Sequence, residues 1–291
     1  MQTVLALDVG GTKMAAAVVD ADGAVLARAT CPTPRAPDGD LVLDALLGVA
    51  GEVRTGQEVA CGVGSGGPMA RGGERLSPLN IPGWVEFPLR RRLVEALDLP
   101  VHIDNDAKAL ALGEGWRGAA RGERDFVAMV VSTGVGGGIV LDGRLLDGAD
   151  GNAGHIGHVV VVPDGRPCPC GGRGCLEAEV SGTAIAARTG APAAHAPPEE
   201  RRRAGRLVGQ AVGSTAALLD LRLALVAGSV ALGYGDDFFD AAQEALDRTA
   251  RIAFARGARI RPAGLSADGP LVGAAAVAWR ALGHQVLAAD P

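Results

Sequence analysis

Aromatic side chains and lysine are both scarce in this chain of 291 residues: aromatics make up 3%, and lysine occurs only at positions 13 and 108. The cores must therefore be built from Ala, Val and Leu, which favours an α/β fold over an aromatic-rich sandwich. A formal charge of −5 gives no basic footprint for nucleic acid or an anionic membrane. Apolar runs fall short of the roughly 18 residues that span a bilayer, and no basic leader precedes the first run. We therefore expect a cytoplasmic protein that binds neither nucleic acid nor membranes.

Arginine supplies nearly all of the positive charge, which indicates a coding bias rather than a function for arginine-rich runs. The longest such run lies in Glu199–Arg203 and opens an amphipathic helical pattern. We interpret it as a solvated helix start, since acidic residues favour the first turn of a helix.

One pattern of strands and turns occurs twice. From Thr3 an apolar run ends in Asp8, glycines follow, and a second run leads to an Asp-Gly hairpin turn. From Phe126 the same order returns. Two copies of one supersecondary unit predict two lobes of related fold on either side of a central cleft, which we place at 1–113 and 114–291.

Helical and strand patterns alternate along the rest of the chain, which implies mainly parallel sheets flanked by helices. Residues 148–175 are rich in Gly, Pro and Cys and lack periodicity, and such a long loop inside a compact domain is usually functional. The last helix is able to pack back on the first lobe. Helices are expected near 41–53, 89–97, 107–115, 177–188, 199–219, 237–256 and 271–282, and strands near 58–67, 101–106 and 223–230.

Two glycine-rich turns have the composition of phosphate-binding loops. Asp8-Val9-Gly10-Gly11-Thr12-Lys13 offers a carboxylate at a strand end, glycines whose N–H groups can face an anion, a hydroxyl and a cation, as a triphosphate with Mg²⁺ requires. It lacks Walker spacing, and a strand follows it, which argues against a dinucleotide fingerprint. For one such turn a plain glycine hairpin is the alternative. The second turn, Ser132–Gly138, has the same layout, and the pair favours two loops that bind one nucleotide.

One imidazole and three thiols lie close together in the sequence, at His158, Cys168, Cys170 and Cys175. This set matches the ligand number and softness of a closed structural Zn²⁺ site, whereas a disulfide would leave an odd cysteine. Because four protein ligands leave no open position, the ion would stabilise a zinc loop, 151–177, and would not act as a Lewis acid. Cys31 and Cys61 lie elsewhere and are interpreted as inert.

Both glycine turns, His158 and the run Cys168–Glu177 resemble the ROK family of sugar kinases and related repressors, which has the actin-like ATPase (ribonuclease H-like) α/β fold. The resemblance covers essentially the whole chain. It implies transfer of a phosphoryl group from ATP to the 6-hydroxyl of a hexose or N-acylhexosamine, with Mg²⁺, structural Zn²⁺ and a homodimer or homotetramer. Ala227-Gly228 replaces the usual Gly-Gly of the adenosine site. The implied nucleotide contacts are Asp8, Gly10, Gly11, Thr12, Lys13, Thr133, Gly134 and Gly228.

The same resemblance assigns a sugar site. A sugar hydroxyl is a poor nucleophile and needs a carboxylate to accept its proton, and the family's Asn-Asp-Ala pattern makes Asp106 the catalytic base and Asn105 a hydroxyl clamp. Without the family, Asp-Asn-Asp at a strand end is more often a helix N-cap, a role we leave to Asp104. Lys108 replaces a common Asn, and we interpret that position as tolerant. The implied sugar contacts are Gly66, Gly67, Asn80, Asn105, Asp106, His155, His158 and Glu177.

His155 departs from the family pattern, which usually has a Glu that accepts hydrogen bonds from the hydroxyls at C1 and C2. A neutral imidazole offers one donor and one acceptor, whereas a carboxylate only accepts. An N-acetyl carbonyl at C2 needs a donor, and Gly154-His155-Ile156-Gly157-His158 resembles the bacterial N-acetylmannosamine kinase branch. The alternatives are a neutral exchange with glucose still preferred, or a loop histidine that caps a carbonyl.

Two other functions compete with an ATP-dependent kinase. A sugar-responsive transcriptional regulator of the same family needs an N-terminal helix-turn-helix, and only Met1-Gln2-Thr3 precede the first predicted strand. A polyphosphate-dependent glucokinase would use the same two glycine turns. The sequence therefore favours the kinase and leaves the phosphoryl donor and the sugar open.

Overall fold

The computed structural model describes residues 2–288, which form two compact units. Each unit is discontinuous in the sequence. The lobe boundary expected after residue 113 falls inside the helix Asp106–Arg117. Because a helix packs as one element, the first unit continues past that boundary as far as Glu123. The first unit takes the described residues of Met1–Glu123, Gly143–Ala153 and Gly264–Pro291, and the second takes Arg124–Asp142 and Gly154–Ala263.

Strands and helices alternate through most of the described chain. The strands are β1 (Thr3–Val9), β2 (Lys13–Asp20), β3 (Val25–Pro32), β4 (Glu58–Ser65), β5 (Val101–Asn105), β6 (Phe126–Val131), β7 (Val135–Leu141), β8 (Arg144–Leu145), β9 (Leu223–Ala227) and β10 (Arg259–Pro262). The helices are α1 (Gly39–Gly51), α2 (Leu89–Leu97), α3 (Asp106–Arg117), α4 (Leu176–Val180), α5 (Gly182–Thr189), α6 (Pro198–Leu219), α7 (Ser229–Tyr234), α8 (Asp236–Thr249) and α9 (Gly269–Ala281).

The strands form two sheets with one shared order. The first sheet runs β3-β2-β1-β4-β5 and the second runs β8-β7-β6-β9-β10. In the first sheet β1 pairs antiparallel with β2 and parallel with β4, and in the second β6 pairs antiparallel with β7 and parallel with β9. The two copies of the strand pattern are thus the centres of two sheets. Parallel strands end at one edge, so each sheet collects strand ends and their following turns at that edge.

Helices cover both faces of the first sheet. α1 packs against β2 and β3, whereas α9 packs against β1, β4 and α3. The contact with α9 is close because a Cβ at Gly62 would lie 2.0 Å from the Ala274 carbonyl oxygen. At the end of α3, the fully buried Glu114 carboxylate accepts the N–H groups of Ala119, Gly264 and Leu265. Burial of these apolar faces holds α3, and with it the end of β5, in a fixed position.

In the second unit the long helix α6 packs along α8. Glycines permit the close approach, since a Cβ at Gly205 or Gly209 would lie 2.2 or 2.1 Å from a carbonyl oxygen of α8. Phe238 on α8 is fully buried. No helix within residues 2–288 is both long enough and apolar enough to cross a membrane.

Some elements differ from the sequence expectations. The helix expected at 177–188 is broken at Ser181, whose hydroxyl accepts the Ala184 N–H and starts α5. The strand expected at 223–230 ends at Ala227, because Gly228 has a φ of +99°. The helix expected at 237–256 stops at Thr249, where Ala250 leaves the helical region. The short strand β10 and helix α7 were not expected.

Candidate active site

The carboxyl ends of β1, β4 and β5 meet at one edge of the first sheet. Asp8 on β1 lies opposite Gly64 on β4, and Gly64 lies opposite Asp104 on β5. A Cβ at Gly64 would lie 3.6 Å from the Cα of Asp106. The glycine therefore lets the start of α3 approach the centre of the sheet, and it brings Asp106 towards Asp8.

The first glycine turn lies beside these carboxylates. Its N–H at Gly10 donates to the Lys13 carbonyl at 3.1 Å, and the Thr33 hydroxyl donates to the Gly10 carbonyl at 2.6 Å. Asn80 packs directly on the turn, because a Cβ at Gly11 would lie 2.7 Å from the Asn80 side chain. A Cβ at Gly66 would lie 3.5 Å from the same amide. The structure thus gathers residues expected for the sugar, Asn80 and Gly66, around a turn expected for phosphate.

The Asp8 carboxyl carries an unusual proton affinity. Its pKa is raised to about 7, mainly by burial and also by the negative charge of Asp106, while the charge of Lys13 acts to lower it. Two carboxylates that disfavour each other's charge form a place where a cation is favoured, and Mg²⁺ prefers oxygen ligands of this kind. The donor set at this edge therefore fits a divalent cation that accompanies a nucleotide.

The Asp104-Asn105-Asp106 run starts α3. The Asn105 side chain is the N-cap and accepts the N–H groups of Ala107 and Lys108 at 3.0 and 3.4 Å. Asp106 accepts the Ala107 N–H at 2.8 Å. The capping role expected for Asp104 is therefore wrong. Asp104 lies near the end of β5, and its side chain instead accepts the Asn105 N–H at 2.8 Å.

Lys108 is buried, with 2% of its surface exposed. Its ammonium group lies 2.9 Å from the Asp104 carboxylate, 2.8 Å from Asp147 and 3.1 Å from the Gly151 carbonyl oxygen. The structure argues against the interpretation of this position as tolerant, because an uncharged side chain would leave the Asp104 carboxylate, 16% exposed, without its cation. Only the structure shows this, since Asp147 is distant in the sequence.

Hydroxyl groups surround the second glycine turn. The Ser132 and Ser229 hydroxyl oxygens lie 2.9 Å apart, and Thr183 donates to the Thr133 carbonyl at 3.1 Å. Gly228 must be glycine, because its φ is +99° and a Cβ there would lie 2.3 Å from the Val131 carbonyl oxygen. The structure therefore brings Gly228 to the end of β6, where the second turn begins. Sequence reasoning placed Ser132 in the second turn but did not predict its contact with Ser229.

Glu177, expected to contact the sugar, lies against the second glycine turn. Its Oε2 accepts the Val135 N–H at 2.8 Å. A Cβ at Gly134 would lie 2.9 Å from the same oxygen, so Gly134 leaves room for the carboxylate. One carboxylate oxygen of Glu177 is thus engaged by the protein backbone.

The two histidines of the Gly-His-Ile-Gly-His segment lie side by side, with ring centroids 5.9 Å apart. Their segment is pressed against β7, since a Cβ at Gly157 would lie 2.1 Å from the Val135 carbonyl oxygen. His158 Nδ1 lies 3.7 Å from the Cys168 Sγ. The segment therefore joins His155 to the metal-ligand cluster through one short turn.

The Cys3His set forms one cluster. The ligand atoms of His158, Cys168, Cys170 and Cys175 all lie within 4.8 Å of one another. The Sγ atoms of Cys170 and Cys175 are 3.7 Å apart, which is close to the edge of a tetrahedron with metal–sulfur bonds of about 2.3 Å. Burial raises the pKa of the Cys175 thiol to about 12, so a cation is needed to hold it as a thiolate. The cluster therefore fits a closed zinc site.

A buried carboxylate, Glu179, binds the backbone of the metal loop. Glu179, 2% exposed, accepts the Arg166 N–H at 2.9 Å and pairs with Arg203 at 2.5 Å. Glu200 pairs with Arg188. The interpretation of Glu199–Arg203 as a purely solvated helix start is therefore wrong, because this helix start anchors the metal loop.

Comparisons with known proteins agree with this geometry. A sequence profile described as the ROK family matches residues 4–281. The chain belongs to the ROK family. N-acetylmannosamine kinase of Escherichia fergusonii is 37% identical over 250 residues, which are 80% of this chain and 85% of that protein.

Two solved structures are similar over nearly the whole chain. The ROK hexokinase from Thermus thermophilus is 35% identical with a TM-score of 0.81 and covers 97% of this chain and 99% of its own. The ROK family glucokinase from Streptomyces griseus, in complex with glucose and AMPPNP, is 30% identical with a TM-score of 0.81 and covers 94% and 98%. The predicted family, the actin-like ATPase fold and the enzyme class, a kinase, are confirmed.

Proposed function

We propose that this chain transfers a phosphoryl group from ATP to the 6-hydroxyl of a hexose or N-acylhexosamine. The approach of Asp8 and Asp106 at the ends of parallel strands, beside a glycine turn, carries the proposal. At such an edge Asp106 can accept a proton from an alcohol, and Asp8 can bind a cation that accompanies the phosphates. The kinase names of the similar proteins support the same reaction.

Asp106 is the proposed general base. It accepts the proton of the 6-hydroxyl while that oxygen attacks the γ-phosphate, and the phosphoryl group leaves ADP. Asn105 clamps a sugar hydroxyl through its amide nitrogen, since its oxygen caps α3. The other proposed sugar contacts are Gly66, Gly67, Asn80, His155, His158 and Glu177.

Nucleotide binding is proposed for both glycine turns. The N–H groups of Gly10 and Gly11 and the side chains of Thr12 and Lys13, both exposed, bind phosphate oxygens. Thr133, Gly134 and Gly228 bind the rest of the nucleotide. Mg²⁺ bound beside Asp8 would supply charge neutralisation for the phosphates.

Zn²⁺ is the proposed occupant of the Cys3His cluster, and its role is to hold the loop that carries His155 and Glu177. Metal analysis of untreated protein should find about one zinc per chain. The thiolate ligands suit a reducing compartment, so we also propose a cytoplasmic location. Assembly as a homodimer or homotetramer is a further proposal that sedimentation tests.

The sugar is proposed to be N-acetylmannosamine, with glucose as the second candidate. A neutral imidazole at position 155 donates to an N-acetyl carbonyl, which a carboxylate cannot do. The similar protein of Escherichia fergusonii is named for N-acetylmannosamine, and the one of Streptomyces griseus was solved with glucose. Both sugars therefore belong in the test.

A coupled assay of ADP release tests the proposal. Wild type and His155→Glu are compared on N-acetylmannosamine, N-acetylglucosamine, glucose, mannose and fructose. We expect His155→Glu to shift preference towards glucose by about 10-fold or more, the value of one polar contact. Equal profiles for the two proteins would remove His155 from the specificity argument. Turnover with polyphosphate but not with ATP would contradict the proposed donor.

A further inference from the structure

Glu177 connects two parts of the second unit that the sequence separates. It is the second residue of α4 and lies two residues after the proposed metal ligand Cys175. Its Oε2 accepts the Val135 N–H of the second glycine turn at 2.8 Å. Such a bond to a charged acceptor is roughly twice as strong as a neutral one.

The start of α4 is itself fixed by the metal loop. The backbones of Cys175 and Val160 form an isolated antiparallel β-bridge, and the Leu176 N–H donates to the Val159 carbonyl at 2.9 Å. Leu176 is fully buried. Because Glu177 follows these residues, its backbone position depends on the loop that the cluster closes.

The second glycine turn depends on Glu177 for part of its order. Gly134, in the turn between β6 and β7, gives that turn no side chain of its own, and flexible backbone must lose entropy before its N–H groups can face an anion. The carboxylate fixes the Val135 peptide and so reduces that loss. A ligand that binds an ordered turn is bound more tightly than one that must order it.

We propose that Glu177 is a positioning residue that orders the second glycine turn and thereby raises the affinity for a nucleoside diphosphate. The order is transmitted from the metal loop through Cys175 to Glu177 and Val135. The effect on nucleotide rests on the proposed function, whereas the ordering of the turn does not.

Hydrogen–deuterium exchange measures the ordering without any ligand. Glu177→Ala removes the acceptor, and Gly134→Ala places a methyl group where the carboxylate lies, at a glycine whose φ is not positive. Both variants should speed exchange in the peptide covering 131–138 by about tenfold, the value of one such bond. Glu177→Gln retains an oxygen acceptor without the charge, which makes a weaker bond, and should restore part of the protection. Glu244→Ala, at an exposed position on α8 of the same unit, is the matched control.

Calorimetric titration with ADP measures the consequence. Glu177→Ala should weaken ADP binding about tenfold, and Glu177→Gln should weaken it less. Tighter binding by Glu177→Gln would overturn the proposal, since the carboxylate would then act on phosphate by repulsion. Wild type that fails to bind ADP would refute the proposed function but not the exchange result.

Removal of the metal completes the test. A chelator should speed exchange in 131–138 as well as in 168–177, while β1 of the first unit stays protected and shows that the protein remains folded. Unchanged exchange in 131–138, in the chelated protein or in Glu177→Ala, would overturn the proposal.

Discussion

The two glycine turns occupy the same position in sheets of the same order, yet their polar surroundings differ. The first turn lies beside two carboxylates, Asp8 and Asp106, and under Asn80. The second is surrounded by the hydroxyls of Ser132 and Ser229 and is held by Glu177. A shared backbone pattern thus supports two kinds of chemistry.

The support beneath each turn differs as well. The first unit fixes its strand ends with a buried ammonium group, Lys108, between two carboxylates. The second fixes its turn through a loop of low periodicity that a Cys3His cluster closes. A loop without a core of its own needs such a crosslink, whereas a helix packed on a sheet does not.

The largest expected effect is at the first turn. Asp106→Asn should lower kcat by about 10²- to 10⁴-fold, the usual contribution of a general base, while sugar still binds. Steady-state kinetics and sugar titration measure both quantities. Asp44→Asn, at an exposed site on α1, is the control. Retained turnover in Asp106→Asn would mean that Asp106 is not the general base, and the proposed chemical difference between the two turns would then be wrong.

A smaller effect is expected at the second unit's crosslink. Cys175→Ser removes one ligand of the cluster, and we expect a lower zinc content and an unfolding midpoint reduced by at least about 5 °C. Calorimetry and metal analysis measure these changes. Cys31→Ser, the same change in the first unit, should leave the zinc content intact. A normal zinc content in Cys175→Ser would contradict the cluster.

The first unit's support should be costly to break. Lys108→Met leaves the largely buried Asp104 carboxylate, 16% exposed, without its cation. It should lower the free energy of unfolding by about 3 to 5 kcal/mol, measured by urea denaturation. Lys13→Met, at the chain's exposed lysine, should cost little. Adding Asp104→Asn to Lys108→Met should recover part of the loss. If the double variant were no more stable than Lys108→Met, the loss of stability would not come from the unpaired Asp104 carboxylate.

The smallest effect concerns Asp8, whose pKa rises from 3.8 to about 7 in the folded protein. The folded state then holds a proton that the unfolded state releases, so stability falls as pH rises through 4 to 7. Asp8→Asn should match wild type near pH 4 and exceed its stability at pH 8 by at most about 4 kcal/mol. Urea denaturation without added Mg²⁺ checks this. A parallel pH dependence in both proteins would contradict the assignment.

Much of the fold followed from local patterns. The alternation after Thr3 and Phe126 predicted both meanders, and the glycine spacing predicted both turns. The broken helix at Ser181 and the end of β9 at Gly228 were missed, because a cap and a positive φ depend on a few atoms rather than on periodicity. The short edge strand β10 has little apolar content to reveal it.

The sequence by itself determined the family, the two strand patterns and the Cys3His spacing, since each depends on residues close together in the chain. The tertiary structure alone decided that Lys108 is buried against Asp147 and that Glu177 reaches the second turn. These contacts join residues 39 and 42 positions apart. Their geometry depends on how sheets and helices pack, which no local pattern encodes.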